Sequence, residues 1–357
     1  MHPKPIHTRV VALITTLVAC TAVLTACAGS SDAEKTADGA TVFRYQGSAS
    51  QVTFPELADD LGYFDKVALD WVGDTTSGPQ DIQSAATGDT DFGGAFNGAI
   101  VKLAAAKSPI QSVVSYYGAD KETFNGFYVL EDSPIRTARD LIGKKVAMNT
   151  LGAHAEFIIR EWLAQQGLSK DEIAQVELTV VPPVNTEQAL RQGQIDVGTL
   201  GSVFRQTATE RGGLRELFTD ESLYGTFSYG TYVLRKDFIE KNKDAVADFV
   251  QGVARAIRWT QTVPREEVIA KYKSIIAARG RNENPDLVDY WKSSSVAPGG
   301  VIADREFEIW IDWLKRNENL ADGITPGDIY TNEFNPYANG TYPEDSDSNG
   351  LALQVAK

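Results

Sequence analysis

Cysteine is almost missing from this chain. There are two in 357 residues, Cys20 and Cys27, together with three histidines, His2, His7 and His154. Removal of residues 1–26, argued below, leaves one His and no free Cys, too few for a Cys/His metal cluster or a Cys–His catalytic dyad. The sequence has no Gly-x-x-x-x-Gly-Lys-Ser/Thr, Gly-x-Ser-x-Gly, His-Glu-x-x-His or Cys-x-x-Cys. The phosphate-cradling loop of an ATPase, the nucleophile elbow and the zinc-protease helix are therefore excluded. Positive charge is also short: 34 Lys and Arg against 48 Asp and Glu give a net charge of −14. Such a balance opposes both a phosphate backbone and an anionic lipid surface, so no nucleic-acid partner is expected.

The uncharged run Val10 to Val23 follows a short basic start with Lys4 and Arg9. It is shorter than the about 20 residues that span a bilayer. A basic start, an apolar stretch of this length and small residues before the cut describe a secretory signal over 1–26. Leu24-Thr25-Ala26-Cys27 resembles the bacterial lipobox, in which the Cys is acylated and becomes the first mature residue. Removing 1–26 also removes Cys20, His2, His7, Lys4 and Arg9, and shifts the net charge to −16. Cys27 is then the single thiol and no internal disulfide is possible. No basic amphipathic helix is visible, so lipid on Cys27 has to provide the anchoring. The expected location is extracytoplasmic and membrane-attached. The remaining length exceeds the roughly 250–300 residues at which single cores stop growing, which predicts two lobes.

Residues 27–40 are small and polar and read as a flexible tether. Strand-like runs then alternate with helical stretches: strands at 41–45, 67–72, 91–93, 110–116, 126–130, 145–148, 176–181 and 195–199, helices at 54–61, 77–88 and 153–166. Ser77-Gly78-Pro79-Gln80 has capping-box spacing, and Asn185-Thr186-Glu187-Gln188 reads as the cap of a further helix. Strand, capped helix, glycine stop and strand is the rhythm of βαβ units with a mostly parallel sheet. Gly88-x-x-Asp91-x-Gly93 recurs as Gly193-x-x-Asp196-x-Gly198, each position offset by 105. Beyond Leu234 helices dominate; apolar residues at Val246, Phe249, Val250, Val253 and Ile257 follow a 3.6-residue stripe, and 306–313 is a second packed helix. The polar stretch 341–357 is expected to be a mobile tail.

With this order of elements, the chain resembles the solute-binding proteins of ABC importers for sulfonates, taurine, nitrate and thiamine-precursor pyrimidines. The residues carrying the resemblance are Tyr45-Gln46-x-Ser48, Leu61-Gly62-Tyr63-Phe64, Ser77-Gly78 with Gly88-x-x-Asp91-x-Gly93, Asp140-Leu141-x-Gly143-Lys144-Lys145-Val146-Ala147, and Arg235-Lys236-Asp237-Phe238. The resemblance implies an α/β, two-lobed type II periplasmic-binding-protein fold, each lobe a mostly parallel sheet flanked by helices. Lobe one would be 41–130 plus 235–340 and lobe two 131–234, joined by crossing strands near Tyr128–Pro134 and Tyr229–Arg235. It further implies a monomeric, cofactor-free receptor that closes on a small anionic solute and hands it to a permease driven by an ATPase. Three other readings stand beside it, an importer's receptor for a thiamine-precursor pyrimidine, a sensing lipoprotein and a pyrimidine-synthesising enzyme. The enzyme needs a reactive His, Lys and Cys set inside the cell, which export and cysteine poverty oppose.

In open parallel sheets ligands bind beyond the carboxyl ends of strands, where helix N-termini offer unpartnered N–H groups and partial positive charge. An anion can be held there without lysine. The loops that qualify contain Gln46, Gly47, Ser48 and Ser50; Ser77 and Gly78; Phe96 and Asn97; Tyr117; Asn149, Thr150 and His154; and Gly201 and Ser202. Each also has a plainer role: Ser77 as a cap, 46–48 as a turn, Phe96 and Tyr117 as core, His154 as a histidine satisfied by backbone. Sulfonate and taurine binders often carry Trp and Pro where this chain has Leu200-Gly201-Ser202-Val203, which leaves the ligand open. Asp345-x-Asp347-x-Asn349-Gly350 copies the start of a calcium loop, but Ala356 stands where the closing Glu belongs, so no metal is expected.

Overall fold

The computed structural model describes residues 33–75, 77–318, 320 and 322–353. The expected signal, the lipobox with Cys27 and the first part of the tether lie outside the described residues. The strands are β1 (Thr41–Gly47), β2 (Val67–Asp74), β3 (Phe92–Phe96), β4 (Ile110–Ala119), β5 (Asn125–Leu130), β6 (Lys145–Met148), β7 (Glu177–Val180), β8 (Val197–Gly201), β9 (Leu214–Thr219) and β10 (Phe227–Arg235). Between the early strands lie α1 (Phe54–Asp60), α2 (Gly78–Thr87), α3 (Asn97–Ala105), α4 (His154–Gln165), α5 (Lys170–Ile173), α6 (Pro183–Arg191), α7 (Ser202–Glu210) and α8 (Asp220–Tyr224). The helical end holds α9 (Lys236–Lys241), α10 (Lys243–Thr262), α11 (Arg265–Ala278) and α12 (Arg305–Glu318). Among the described residues no helix is long and apolar enough to cross a membrane.

One sheet has the order β7-β6-β8-β5-β9. On the other side β1 pairs with β2 in parallel, and β10 pairs antiparallel with both β3 and β4. Asp91, just before β3, joins these pieces: its N–H donates to the Arg44 carbonyl at 2.8 Å and its carboxylate accepts from the Arg44 N–H at 2.8 Å. Read across, the order β2-β1-β3-β10-β4 repeats β7-β6-β8-β5-β9. In each half a strand from outside the local run, β10 or β5, enters antiparallel beside the third strand. In the second sheet four of the five strands run the same way and only the inserted β5 runs against them, so the sheets are mostly parallel, as expected, each with one antiparallel insert. The chain passes between sheets at 120–124 and 220–226 rather than within 128–134 and 229–235, because β5 already belongs to the second sheet and β10 to the first.

This symmetry gives each position of the 105-residue repeat a physical role. Gly88 and Gly193 end α2 and α6 at φ +86 and +66, a left-handed conformation that a side chain resists. Asp196 copies Asp91, accepting from the Lys145 N–H at 2.9 Å while its own N–H donates to the Lys145 carbonyl. Gly93 and Gly198 lie under the preceding helix, where an added Cβ would meet Asp81 in one half and Thr186 in the other.

Sequence reasoning missed β9, whose residues Leu-Arg-Glu-Leu-Phe-Thr carry charge at an edge. It also placed no helix over α3 or α7. The cap expected at Asn185 is replaced by Pro182 at the N-cap, with Pro183 opening α6. Residues 341–353 are not loose: the Arg258 side chain donates to the Ser346 carbonyl at 2.6 Å, Arg255 to the Ser348 carbonyl at 2.9 Å, and Tyr63 to the Ser348 hydroxyl at 3.1 Å. Polar composition hid this, since the tail is held by hydrogen bonds to α10 instead of by apolar burial. Within the tether, Val42 donates to the Glu34 carbonyl and Lys35 bridges Thr41, which folds 34–40 back onto β1. Asp347 accepts from the Asn349 and Leu351 N–H groups, so the calcium-like stretch is a turn.

Buried aromatic residues tie α12 to β3 and α4: Trp310 packs on Phe96, and Trp313 stacks on Phe157 at 4.0 Å. Glu306 opens this seam, buried, accepting from the Ser115 hydroxyl at 2.7 Å. Burial pushes its carboxyl up to about 7. Between an unfolded value near 4.5 and that folded value the native chain holds the extra proton. Stability contributed by this group is thus lost as pH rises from about 4.5 to about 7, by at most about 3 kcal/mol. Glu306→Gln keeps the shape without the charge. Urea unfolding should find it about 1–3 kcal/mol more stable than the parent at pH 8 and equal to it near pH 4.

Candidate functional site

The ends of β1, β2 and β3 are bound into one rim. Thr75 N–H donates to the Gly47 carbonyl at 2.9 Å, and the Thr75 hydroxyl donates to the Ser77 carbonyl at 3.2 Å. Gly78 lies against Ala95, where an added Cβ would sit 3.1 Å from the Ala95 Cα. Ser77 occupies the N-cap of α2 in extended conformation, but its hydroxyl makes no capping bond. The expected Ser77–Gln80 capping box is therefore absent, and the hydroxyl remains available at the helix N-terminus.

From this rim aromatic residues lead across to the second sheet. Tyr116 lies over Gly94, where a Cβ would sit 2.5 Å from its hydroxyl, and Tyr116 stacks on Tyr232 at 3.9 Å. Tyr117 meets Tyr116 and Tyr229 edge-on at 4.6 and 5.0 Å. Tyr229 stacks on His154 at 3.8 Å, and His154 meets Phe96 at 5.3 Å. Tyr229 and Tyr232 are buried, Tyr116 and Tyr117 partly so, and desolvation holds the hydroxyls of Tyr117 and Tyr229 well above their usual range.

On the second sheet a fully buried carboxylate organises the site. Asp220 accepts from the Asn125 N–H and side-chain amide at 3.0 Å each, from His154 Nε2 at 2.8 Å and from the Glu221 N–H at 2.8 Å. The same Asn125 amide donates to the Tyr229 hydroxyl at 2.7 Å. Gly201 faces Asn125 so closely that any side chain would collide with its amide. His154 thus has Nε2 committed to Asp220, while Nδ1 is buried without a partner. Backbone does not satisfy it.

The structure brings Gly47, Ser77, Gly78, Phe96, Tyr117, His154 and Gly201 into this continuous seam. Gln46 and Ser48 flank Gly47, and the buried Gln46 Oε1 lacks a partner. Asn149 and Thr150 are in the loop between β6 and α4; Asn149 is exposed and Thr150 reaches the Leu151 carbonyl. Ser202 opens α7 at φ +48 and borders a cleft of about 100 Å³ that also touches Thr123, Arg205, Trp291 and Ser293. Two expected residues are used elsewhere. Ser50 donates its N–H to Glu283 and accepts from the Asn284 N–H, which latches the loop to the end of α11. Asn97 is fully buried, donating to the Glu306 carbonyl and accepting from the Thr231 hydroxyl, and so serves packing. Tyr116, Tyr229, Asn125, Asp220 and Asp81 were not foreseen. Tyr229 and Asp220 flank the second crossing, a position visible only once the strand insertion is known. A larger groove of about 460 Å³ beside α6, lined by Thr179, Asn185 and Gln188 among others, contains none of the seam residues. Among the described residues no cluster of His, Cys, Asp and Glu is placed to hold a metal.

The sequence profile described as NMT1/THI5 like matches residues 50–267. A protein of Escherichia coli strain K12 named for binding aliphatic sulfonates is 28% identical over 199 residues, 56% of this chain. The match spans 58% of that relative's own length. The alkanesulfonate-binding protein SsuA of Xanthomonas axonopodis pv. citri, solved with MOPS, superposes with a TM-score of 0.62 at 20% identity, covering 84% of this chain and 99% of that one. The periplasmic nitrate-binding protein NrtA of Synechocystis PCC 6803 gives 0.61 at 13% identity, covering 87% and 91%. At these identities the structures establish the fold, the α/β two-lobed arrangement of periplasmic binding proteins.

Proposed function

The chain belongs to the NMT1/THI5-like family, and from that membership we propose that it is the extracytoplasmic solute-binding component of an ABC importer. It captures a small anionic solute, an aliphatic sulfonate or similar oxyanion, between lobe one (the β1–β4 sheet with β10 and the C-terminal helices) and lobe two (the β5–β9 sheet). The crossings at 120–124 and 220–226 act as the hinge, and the closed form docks on a membrane permease with its ATPase. The observation that carries this reading is the matched strand order of the two sheets. It sets two sets of strand ends and helix N-termini beside one aromatic seam, with Ser77 and His154 on opposite sides. The chain works as a binder rather than an enzyme and needs no cofactor. The aromatic rings of Tyr116, Tyr117, Tyr229 and His154, the last two stacked on each other, also suit a flat heterocycle, which supports a thiamine-precursor pyrimidine as the second reading.

A ligand at 100 times its Kd adds about 2.7 kcal/mol of stability. Thermal unfolding of the mature chain with alkanesulfonates, taurine, nitrate and aminopyrimidines should therefore show a rise of several degrees with one class. No rise with any of them removes the ligand assignment.

Lipid on Cys27 holds this receptor beside its permease at high local concentration. Cys27→Ala is expected to move the protein from the membrane fraction to the soluble one in cell fractionation. Unchanged membrane retention would refute the anchor.

A further inference from the structure

One carboxylate in the first-sheet rim has no counter-charge. Asp81 stands in the first turn of α2, directly after the Ser77-Gly78 loop, and is 7% exposed. Its Oδ2 accepts from the Gly94 N–H at 2.6 Å, whereas Oδ1 is buried with no hydrogen-bond partner. Among the described residues, the elements packed around it offer no free cation. β3 has no ionisable side chain, and β4 and β10 contribute Tyr116, Tyr117 and Tyr232, all sensitive to the Asp81 charge. Lys102 of α3 is paired with Glu318 at 2.8 Å, and Arg235 of β10 with Asp237 at 3.0 Å. Burial pushes the Asp81 carboxyl up to about 7.

The fold does not need a charge at this place. The equivalent position in the second half, 105 residues on, is Thr186, which turns its hydroxyl to the Pro182 carbonyl at 3.2 Å. A buried, half-satisfied carboxylate is destabilising wherever an uncharged residue would pack as well. Tyr116, Tyr117 and Tyr232 lie close enough to feel its charge, and aromatic faces attract a cation.

We propose that Asp81 receives a protonated amine of the solute, making lobe one select a ligand that carries an amino group as well as its acidic end. This inference rests on the solute-binding reading above. It excludes nitrate and simple alkanesulfonates as preferred cargo, because neither can supply the missing positive charge.

Titration calorimetry on the mature chain tests it with two probes differing only at that group, 2-aminoethanesulfonate and 2-hydroxyethanesulfonate. At pH 7.5 the amine should bind at least tenfold more tightly. Asp81→Asn should erase that preference by lowering affinity for the amine about tenfold, to the level of the hydroxy compound. A second readout uses the unaltered chain: affinity for the amine should rise several-fold from pH 6 to pH 8 as Asp81 loses its proton, while affinity for the hydroxy compound stays flat or falls. Equal affinities at pH 7.5, or a preference that survives Asp81→Asn, would overturn the role of Asp81 and leave the sulfonate reading standing. If neither probe binds, both fail.

Discussion

Replacing Glu56 with alanine should destabilise the protein by about 3–5 kcal/mol, the range for removing one partner of a buried ion pair. Glu56 is 7% exposed and accepts six hydrogen bonds or ion contacts of 2.7–3.1 Å: from the Tyr45 hydroxyl, Arg281 and Arg279 on Oε1, and from Arg279, the Thr53 N–H and the Thr53 hydroxyl on Oε2. Arg279 is also held by Glu283, but Arg281 has no second acid and otherwise stacks on Trp71 at 4.1 Å. Without Glu56 a buried cation is left facing a phenol and an indole. The Thr53–Glu56 capping box that starts α1 is lost as well. Chemical unfolding followed by circular dichroism measures the effect. Adding Arg281→Ala to Glu56→Ala should recover part of the loss, since the stranded charge goes with it. The parent should respond little to salt, because the cluster is screened far less than a surface pair. Gly47 lies beside Arg281, so the same substitution is expected to loosen the β1 rim and weaken ligand binding.

Asp220→Ala should cost a similar amount, about 3–5 kcal/mol, through a different route. The carboxylate is fully buried, and its loss strands the Asn125 N–H and amide, His154 Nε2 and the Glu221 N–H together. Each unsatisfied buried donor costs about 1–3 kcal/mol, and they do not add fully because the site relaxes. Binding should suffer beyond stability. Asp220 fixes the ring on which Tyr229 stacks and dictates that Nε2 is the nitrogen already committed, so His154 Nδ1 loses its orientation. Asp220→Asn should fold better than Asp220→Ala yet still bind poorly, as an amide cannot accept at both oxygens. Unfolding by urea and ligand titration on the two variants separate these effects; binding left intact in either would show that His154 plays no part in the site.

Much of the architecture was readable in the residues. The capped helices, glycine stops and apolar runs placed eight of the ten strands, the resemblance supplied β10 as a crossing, and the repeat at 105 foretold two similar halves. What could not be read was which strand pairs with which. β10 and β5 carry ordinary apolar patterns, and nothing local says that each inserts antiparallel into its sheet. That hid the crossings, and with them Asp220 and Tyr229. The rim was legible because strand ends and small residues coincide there, as at Gly47, Ser77, Gly78 and Gly201. Ser50 and Asn97 misled because polar residues in loops look alike whether they face a ligand or a neighbouring carboxylate. Asp81 was overlooked because an acid in the first turn of a helix is ordinarily a solvated one.

The inserted strands also set a timetable. Made from the N-terminus, the chain completes β3 and β4 more than a hundred residues before β10, the strand that belongs between them. The second sheet faces no such delay, for β5 precedes its neighbours and all five members are present once Thr219 is made. The half that begins first must therefore wait, its middle open, until residue 235 arrives, and the half embedded within it is the one that can fold early.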